Sequence, residues 1–329
     1  MKLKHLAPGL SACALASPAF ALNILLTNDD GLTSNVKALY EALKAKGHDV
    51  IVSVPCTGQS GMGAAVKYLT PLTPLSTSNA DRTTGGCLNG AAVAGDPGAG
   101  KMTKTGFTGG DYFYVNGTPV MATMYGLDVV ATARWGKAPD VVLSGPNEGQ
   151  NVGSIVNGSG TVSNAQFSAS RGLPSIALSA DQTTADNTGL ANPASVTVAK
   201  LSLDLLDALR AKAGNGPLLP AGIALNVNFP KDLSNPSWAF TRFGSYNLYD
   251  LKFVADLSQD ATAKAVGLGS YPYPGVTISN TTAAPAADQA DNEAYVSQTK
   301  ISVTAMQLGF EHRPQGQAWL RLRLRDLVK

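Results

Sequence analysis

Asn23-Ile24-Leu25-Leu26-Thr27-Asn28-Asp29-Asp30-Gly31 is the stretch on which the reading of this chain turns. Ile24, Leu25 and Leu26 are too continuously apolar for a strand with one wet face, and too few before Gly31 for a helix. They predict a short strand buried on both sides. Thr33 and Ser34 then supply capping hydroxyls ahead of Val36, Leu39, Tyr40 and Leu43, which share one helical face. The two carboxylates therefore sit in a strand-to-helix turn, at the strand end where open α/β sheets bind ligands. Taken alone, an adjacent Asp pair has two readings: it shapes the turn and favours the helix N-terminus, or it holds a ligand.

Working outward, Gly47 closes the helix and Asp49 to Val54 reads as a second strand, which makes a βαβ unit. The loop Cys56-Thr57-Gly58-Gln59-Ser60-Gly61 then opens on the same sheet edge as the Asp pair, because consecutive parallel strands end there. Residues 76–110 are rich in Gly, Ala, Thr, Ser and Asn, with few large apolar residues, and read as a long loop or insertion carrying Cys87. Its Gly95-Asp96-Pro97-Gly98-Ala99-Gly100-Lys101-Met102 nearly spells a phosphate-binding P-loop. Met102 stands where a hydroxyl is needed, and neither an apolar strand before it nor a helix pattern after it is present, so that reading is rejected. Strands follow at Tyr112 to Val115, Pro139 to Leu143, Ser175 to Ser179 and Ile223 to Phe229, with helices at 120–133, 163–170 and 194–213. This alternation predicts an α/β fold, a Rossmann-like three-layer sandwich around a mostly parallel sheet. From Trp238 the pattern changes to aromatic and alternating segments that read as extended C-terminal β arms. Arg321, Arg323 and Arg325 alternate with leucines, which places them on one face of a strand.

The first 21 residues carry Lys2 and Lys4, an apolar Ala-rich run and Ala19-Phe20-Ala21, the form of a secretory signal peptide and too short for a membrane span. The expected organisation is a signal at 1–21, a core at 22–237 with the insertion at 76–110, and arms at 238–329 that complete the same domain. The expected address is periplasmic or secreted. Loss of the signal would take Lys2 and Lys4 from the 25 basic residues and leave 23 against 23 acidic ones. A chain without net charge or a basic stripe is a poor binder of long nucleic acid. Cys56 and Cys87 would be the cysteines left after export, either bridged or standing as two small apolar side chains.

The polar groups gathered at the presumed carboxyl edge are Asp29, Asp30, Ser60 and Asn147, with Ser144, Gly145, Ser159, Gly160 and Thr161 nearby. All their side-chain donors offer oxygen, which suits Mg²⁺, Mn²⁺ or Ca²⁺; zinc prefers His and Cys, and His48 and His312 read as unrelated surface residues. No G-x-S-x-G marks a serine nucleophile, and no G-x-G-x-x-G follows the first strand. A hard cation beside a Gly-rich anion cradle points to phosphoryl chemistry.

Asn23 to Gly31, Gln59-Ser60-Gly61, Val142-Leu143-Ser144-Gly145-Pro146-Asn147-Glu148-Gly149-Gln150-Asn151-Val152-Gly153, Ser159-Gly160-Thr161-Val162 and Gly172 to Ser179 together resemble the SurE (survival protein E) family. The likeness extends more faintly to Asn226-Val227-Asn228-Phe229-Pro230 and to Ile301 to Thr304. It implies a metal-dependent 5'-nucleotidase or acid phosphatase that takes small phosphorylated substrates and assembles as a homodimer or homotetramer. It also implies that Asp29, Asp30, Ser60 and Asn147 hold a divalent cation (Mg²⁺ or Mn²⁺), with Asp29 and Asp30 catalytic and Ser144, Gly145, Ser159, Gly160 and Thr161 around the substrate. Three departures stand out: Val120-Met121-Ala122 after Pro119 in place of an acidic segment, Phe167 in place of a Glu, and Gly158 in place of a Tyr. They leave open a broad acid phosphatase, an exopolyphosphatase and a non-catalytic nucleotide- or metal-binding protein.

Overall fold

The computed structural model of the protein describes residues 21–76, 86–281, 283–309 and 314–327; residues 1–20, the bulk of the expected signal, and His312 lie outside the described residues. The chain runs through β1 (Asn23–Thr27), α1 (Ser34–Ala45), β2 (Asp49–Pro55), β3 (Ala99–Lys101), β4 (Tyr112–Val115), α2 (Pro119–Tyr125), α3 (Thr132–Trp135) and β5 (Val141–Glu148). It continues through α4 (Gly160–Ser170), β6 (Ser175–Ala180), α5 (Pro193–Ala213), β7 (Ile223–Asn228), β8 (Trp238–Thr241), β9 (Tyr249–Val254) and α6 (Ala261–Ala265). The last elements are β10 (Gly275–Asn280), α7 (Glu293–Val296), β11 (Ile301–Gln307) and α8 (Pro314–Arg323).

Nine strands form one sheet in the order β3-β4-β2-β1-β5-β6-β7-β11-β8, while β9 and β10 pair separately as an antiparallel ribbon. The strands from β4 to β7 are mutually parallel, and β3 and β11 run antiparallel to their neighbours β4 and β7. The unbroken apolar run in β1 follows from its central place: Ile24 and Leu26 join a core with Val36, Leu39 and Leu43 of α1 and Val198 and Leu206 of α5. Leu25 points the other way, to Ile51, Leu127, Val130 and Val142. Both sheet faces are thus covered by helices, the arrangement that continuous hydrophobicity requires. Thr33 caps α1 as expected, its Oγ1 accepting from Val36 N at 3.3 Å.

Several expectations are corrected. The insertion is not only loop: β3 adds an edge strand, and Cys87, Ala91, Ala92, Met102 and Phe107 enter the main core. The Gly95 to Met102 run ends in that strand and not in a helix, as its rejection as a P-loop requires. β5 continues through Ser-Gly-Pro-Asn to Glu148 instead of stopping at Leu143. His48 is 3% exposed, not a surface residue; its Nδ1 accepts from Leu22 N at 3.1 Å. Arg321 and Arg323 lie on α8 and not on a strand, because Leu, Arg and Gln without β-branched neighbours favour helix whatever the alternation of charge. Arg323 stacks on Trp319 one turn earlier, 4.9 Å from its ring centre. The extended segments expected beyond Trp238 are present: among the described residues β8 and β11 join the main sheet, and the β9–β10 ribbon forms a separate antiparallel pair.

Candidate active site

From β1 the chain passes to β2 on one side, and later reaches β5 on the other side of β1. Loops leaving β1 and β5 therefore diverge and open a crevice at the carboxyl edge. Asn28 shapes the turn after β1: its Nδ2 donates to Gly31 O at 2.7 Å and its Oδ1 accepts from Gly31 N at 3.1 Å. With the turn held by Asn28, the two Asp side chains are free for other partners. Asp29 is 3% exposed and accepts from Thr161 Oγ1 and from Gly160 N at the start of α4. Its carbonyl accepts from Gln59 N at 2.8 Å, which fastens the Ser60 loop beside it. Asp30 Oδ2 accepts from Glu148 N at 3.2 Å. Three segments far apart in sequence converge here on one pair of carboxylates.

Asn147 reaches the site through an irregularity in β5. Between Ser144 and Asn147 the chain advances three residues while β6 advances two, from Ala177 to Ser179. Such a bulge rotates the side chains beyond it. It requires Gly145, which has φ +113° and whose missing Cβ would stand 2.1 Å from Leu178 O. Asn147 Nδ2 donates to Gly149 O at 2.7 Å, which orients the carboxamide and leaves Oδ1 buried without a hydrogen-bond partner. Gly160 is the second obligatory glycine: a Cβ there would stand 2.6 Å from both Asp29 Cβ and Pro119 Cγ. Ser159 caps α4, its Oγ accepting from Val162 N at 3.1 Å, so the helix begins three residues earlier than its sequence pattern predicts.

A cavity of about 600 Å³ opens over this floor. Asp29, Ser60, Asn147, Gly158 and Ser159 line its polar end; the β9–β10 ribbon and the segment around α6 supply an apolar wall. Ser144 and Thr161 are fully buried behind the floor, where Asn164 Nδ2 donates to Ser144 Oγ at 3.3 Å and to Asn28 O at 3.1 Å. The electrostatics are unfavourable without a cation. Burial raises the pKa of Asp29; burial, then the charges of Asp29 and Glu148, push Asp30 well above the usual carboxylate range. Glu148 is raised to about 7 by burial, against a hydrogen bond from Asn187 and with a contribution from Asp29. Among the described residues no three His, Cys, Asp or Glu groups are arranged around one metal position. A cation here would therefore take two carboxylates and neutral oxygens, a donor set for a hard divalent ion. The orphaned Asn147 Oδ1 and the crowded carboxylates both fit that requirement, since a cation would accept the one and offset the other.

Asp29, Ser60, Asn147 and Ser159 share the cavity lining; Asp30 is not among the lining residues and accepts from the N–H of Glu148, between the lining residues Asn147 and Gly149. Ser144, Gly145, Gly160 and Thr161 stand beneath the lining and place it. Glu148, Asn164 and the ribbon were not singled out from the sequence. Glu148 offered a signal, a third acid within the third motif; Asn164 offered none, and the alternating pattern that marks the ribbon as an extended arm does not mark it as a wall of the site, because these roles arise only from packing. Of the departures, Gly158 lines the cavity, whereas Phe167 packs against the Leu25 core and lies outside the lining.

Residues 24–250 match the family described as Survival protein SurE. A 5'-nucleotidase SurE from Thermosipho africanus is 32% identical over 286 residues, covering 86% of this chain and 92% of that protein. An acid phosphatase from Yarrowia lipolytica is 35% identical over 214 residues, covering 63% of this chain and 56% of that protein. The crystal structure of the SurE protein from Aquifex aeolicus superimposes with a TM-score of 0.61 at 25% identity, over 92% of this chain and 99% of that one. By the extent of the family match and the length shared with these relatives, this chain belongs to the SurE family.

Proposed function

We propose that the chain is a divalent-metal-dependent phosphomonoesterase that hydrolyses nucleoside monophosphates to nucleoside and phosphate. The observation that carries this reading is the buried, unpartnered Asn147 Oδ1 on the same cavity as Asp29, Ser60 and Ser159, with the adjoining Asp30 accepting from the backbone N of Glu148, the residue after Asn147. Asp29, Asp30, Ser60 and Asn147 would hold Mg²⁺ or Mn²⁺, which when bound supplies Lewis-acid polarisation of the phosphoryl group and acidifies a water. Thr161 and Gly160 N–H fix the Asp29 carboxylate, so it needs no reorganisation during the reaction. The Ser60 loop and Ser159 supply hydroxyls toward the phosphate at the polar end of the cavity, and the N-terminus of α4 favours negative charge there. The name of the Thermosipho relative supports the nucleotide substrate, and the Yarrowia acid phosphatase supports a wider range of monoesters as the second reading.

Export and self-association belong to the same proposal. The basic and then apolar N-terminal sequence and the Cys56–Cys87 bond, with Cα atoms 4.5 Å apart, support export; thiol titration of the denatured, unreduced protein should find no free thiol at either position. Exposed Phe240 on the edge strand β8 and Phe253 on the ribbon support a homodimer or homotetramer, measurable by light scattering. The central experiment is phosphate release by the purified protein from nucleotides and simple phosphoesters, with Mg²⁺, with Mn²⁺ and with chelator. Metal-dependent release from nucleoside monophosphates is expected; release undiminished by chelation would overturn the metal assignment.

A further inference from the structure

We propose that residues 87–90 of the insertion are positioning residues for the site: the Cys56–Cys87 bond, Leu88 and the Asn89 carboxamide hold the Asp29–Asp30 turn and the Ser60 loop in place. Metal affinity then depends on a segment that supplies no ligand. This rests on the metal site of the reading above and adds to it what keeps two of its loops together. Among the described residues, none between 86 and 110 lines the cavity, yet this short segment reaches both loops. Cys87 is bonded to Cys56, just ahead of Ser60, and Leu88 N donates to Cys56 O at 2.7 Å. Asn89 Nδ2 donates to Leu32 O at 2.7 Å, just beyond Asp30. The Leu88 side chain lies over Gly31, where an added Cβ would stand 3.5 Å from Leu88 Cδ2 and 3.1 Å from Pro55 O. The insertion, the end of β2 and the Asp turn thus meet at one point.

The backbone of Asn89 is the second observation. It is left-handed, with φ +52° and ψ +24°, a conformation that asparagine tolerates and glycine adopts more easily. What asparagine adds there is its amide, which reaches a carbonyl ahead of the hydrogen bonds of α1, the first of which runs from Lys37 N to Thr33 O. The segment is itself firmly held. Cys56 and Cys87 are buried, Cys87 N donates to Ala92 O at 2.8 Å, and Ala91 and Ala92 join the main core. From that base, position is passed on: Gln59 N bonds Asp29 O at 2.8 Å, and Gly63 N bonds Gly158 O at 2.9 Å at the other end of the Ser60 loop. Ligands for a hard divalent ion must be held close to their bonding geometry by residues that are themselves locked, and the insertion supplies that lock from outside the site.

The test uses the purified full chain as wild type, Asn89→Gly, the pair Cys56→Ala with Cys87→Ala, and Tyr114→Phe. Three quantities are read: Mn²⁺ affinity by calorimetry, the melting midpoint without metal, and amide exchange in peptides spanning 28–33 and 56–62. Asn89→Gly eases the backbone and loses the hydrogen bond, two effects that nearly cancel, so its midpoint should stay within about 3 °C of the wild type. Its Mn²⁺ affinity should fall by about three- to tenfold, and exchange in both peptides should quicken by about threefold or more. The double alanine variant should melt lower by about 5–15 °C and, well below its midpoint, lose at least as much affinity. Tyr114→Phe removes a hydrogen bond from Tyr114 Oη to Pro97 O, elsewhere in the insertion, and should keep the affinity of the wild type. An Asn89→Gly affinity within about twofold of the wild type, or an equal loss in Tyr114→Phe, would overturn the inference. A wild type that binds no Mn²⁺ would overturn the metal reading instead; exchange then decides the positioning role by itself, and rates in Asn89→Gly equal to those of the wild type would refute it.

Discussion

Asp30 holds the least favourable charge in the site, because burial, Asp29 and Glu148 all oppose its ionisation. Asp30→Asn keeps the shape and removes that charge. At pH 7.5 without metal, the variant should therefore melt higher than the wild type by a few degrees, roughly the effect of about 1–2 kcal/mol in a protein of this size. Divalent ions should raise the melting temperature of the wild type but not of the variant, and hydrolysis should fall by about a hundredfold or more. Calorimetry with and without Mg²⁺ reads both signs at once. Asn147→Ala should do less, since it removes a neutral ligand, and excess Mn²⁺ should recover part of its activity. His48 gives a separate pH signature. Burial, then the charge of Arg210, lowers its pKa, so the unfolded chain takes up its proton first. The stability it contributes is complete above about pH 6.5 and is lost as pH falls from there through the folded value, by no more than about 1.4 kcal/mol per pH unit. Unfolding midpoints of wild type and His48→Gln between pH 8 and 5 should converge or cross as the wild type loses this contribution; parallel curves would refute it.

Among the elements, β7 positions the loop after β5. Asn228 Oδ1 accepts from Asn151 N at 2.8 Å, Asn226 Nδ2 donates to Asn151 O at 2.9 Å, and Asn151 Nδ2 donates to Ser179 Oγ at 2.9 Å. Gln150 Nε2 donates to Phe229 O at 2.7 Å and to Ser297 O at 2.8 Å. The clamp holds the backbone beside Gly149, whose carbonyl orients Asn147. Asn228→Ala leaves a buried N–H without its acceptor, at a cost of about 1–3 kcal/mol. It should also weaken metal affinity without touching a ligand. A drop in melting temperature with unchanged Mg²⁺ affinity would show that the clamp stabilises the fold but does not position the site.

At the scale of the whole molecule, the segment after Trp238 supplies two strands of the main sheet as well as the cavity wall. β11 pairs with β7 along Ser302–Gln307 and Asn228–Ile223, and β8 closes the far edge. Truncation at Trp238 would leave β7 paired with β6 alone, an open sheet edge in place of β11, and expose Leu225, Val227 and Phe229, now buried. The truncated chain should aggregate or fail to fold; a soluble, active monomer on size exclusion would refute this.

How much of this was legible depended on the range of the interaction. The strand Ile24-Leu25-Leu26, the capped helix after it and the carboxylates at its end are written in contiguous residues, because hydrophobic periodicity and capping act over a few positions. The likeness of the Asp29, Ser60 and Asn147 motifs to one family followed from the same local record. The helix α8 was misread because an alternating Arg-Leu run satisfies a strand's period while its backbone preferences favour helix. The bulge that aims Asn147, the burial of His48, the Asn151 clamp and the apolar wall all depend on residues brought together from opposite ends of the chain. Sequence determined which oxygen-bearing side chains stand at the strand ends and which core strands this protein has. The cavity, the charge crowding beside it and the apolar wall across from Asp29 were decided only by tertiary packing, because desolvation and close contact exist only once distant segments exclude water from one another.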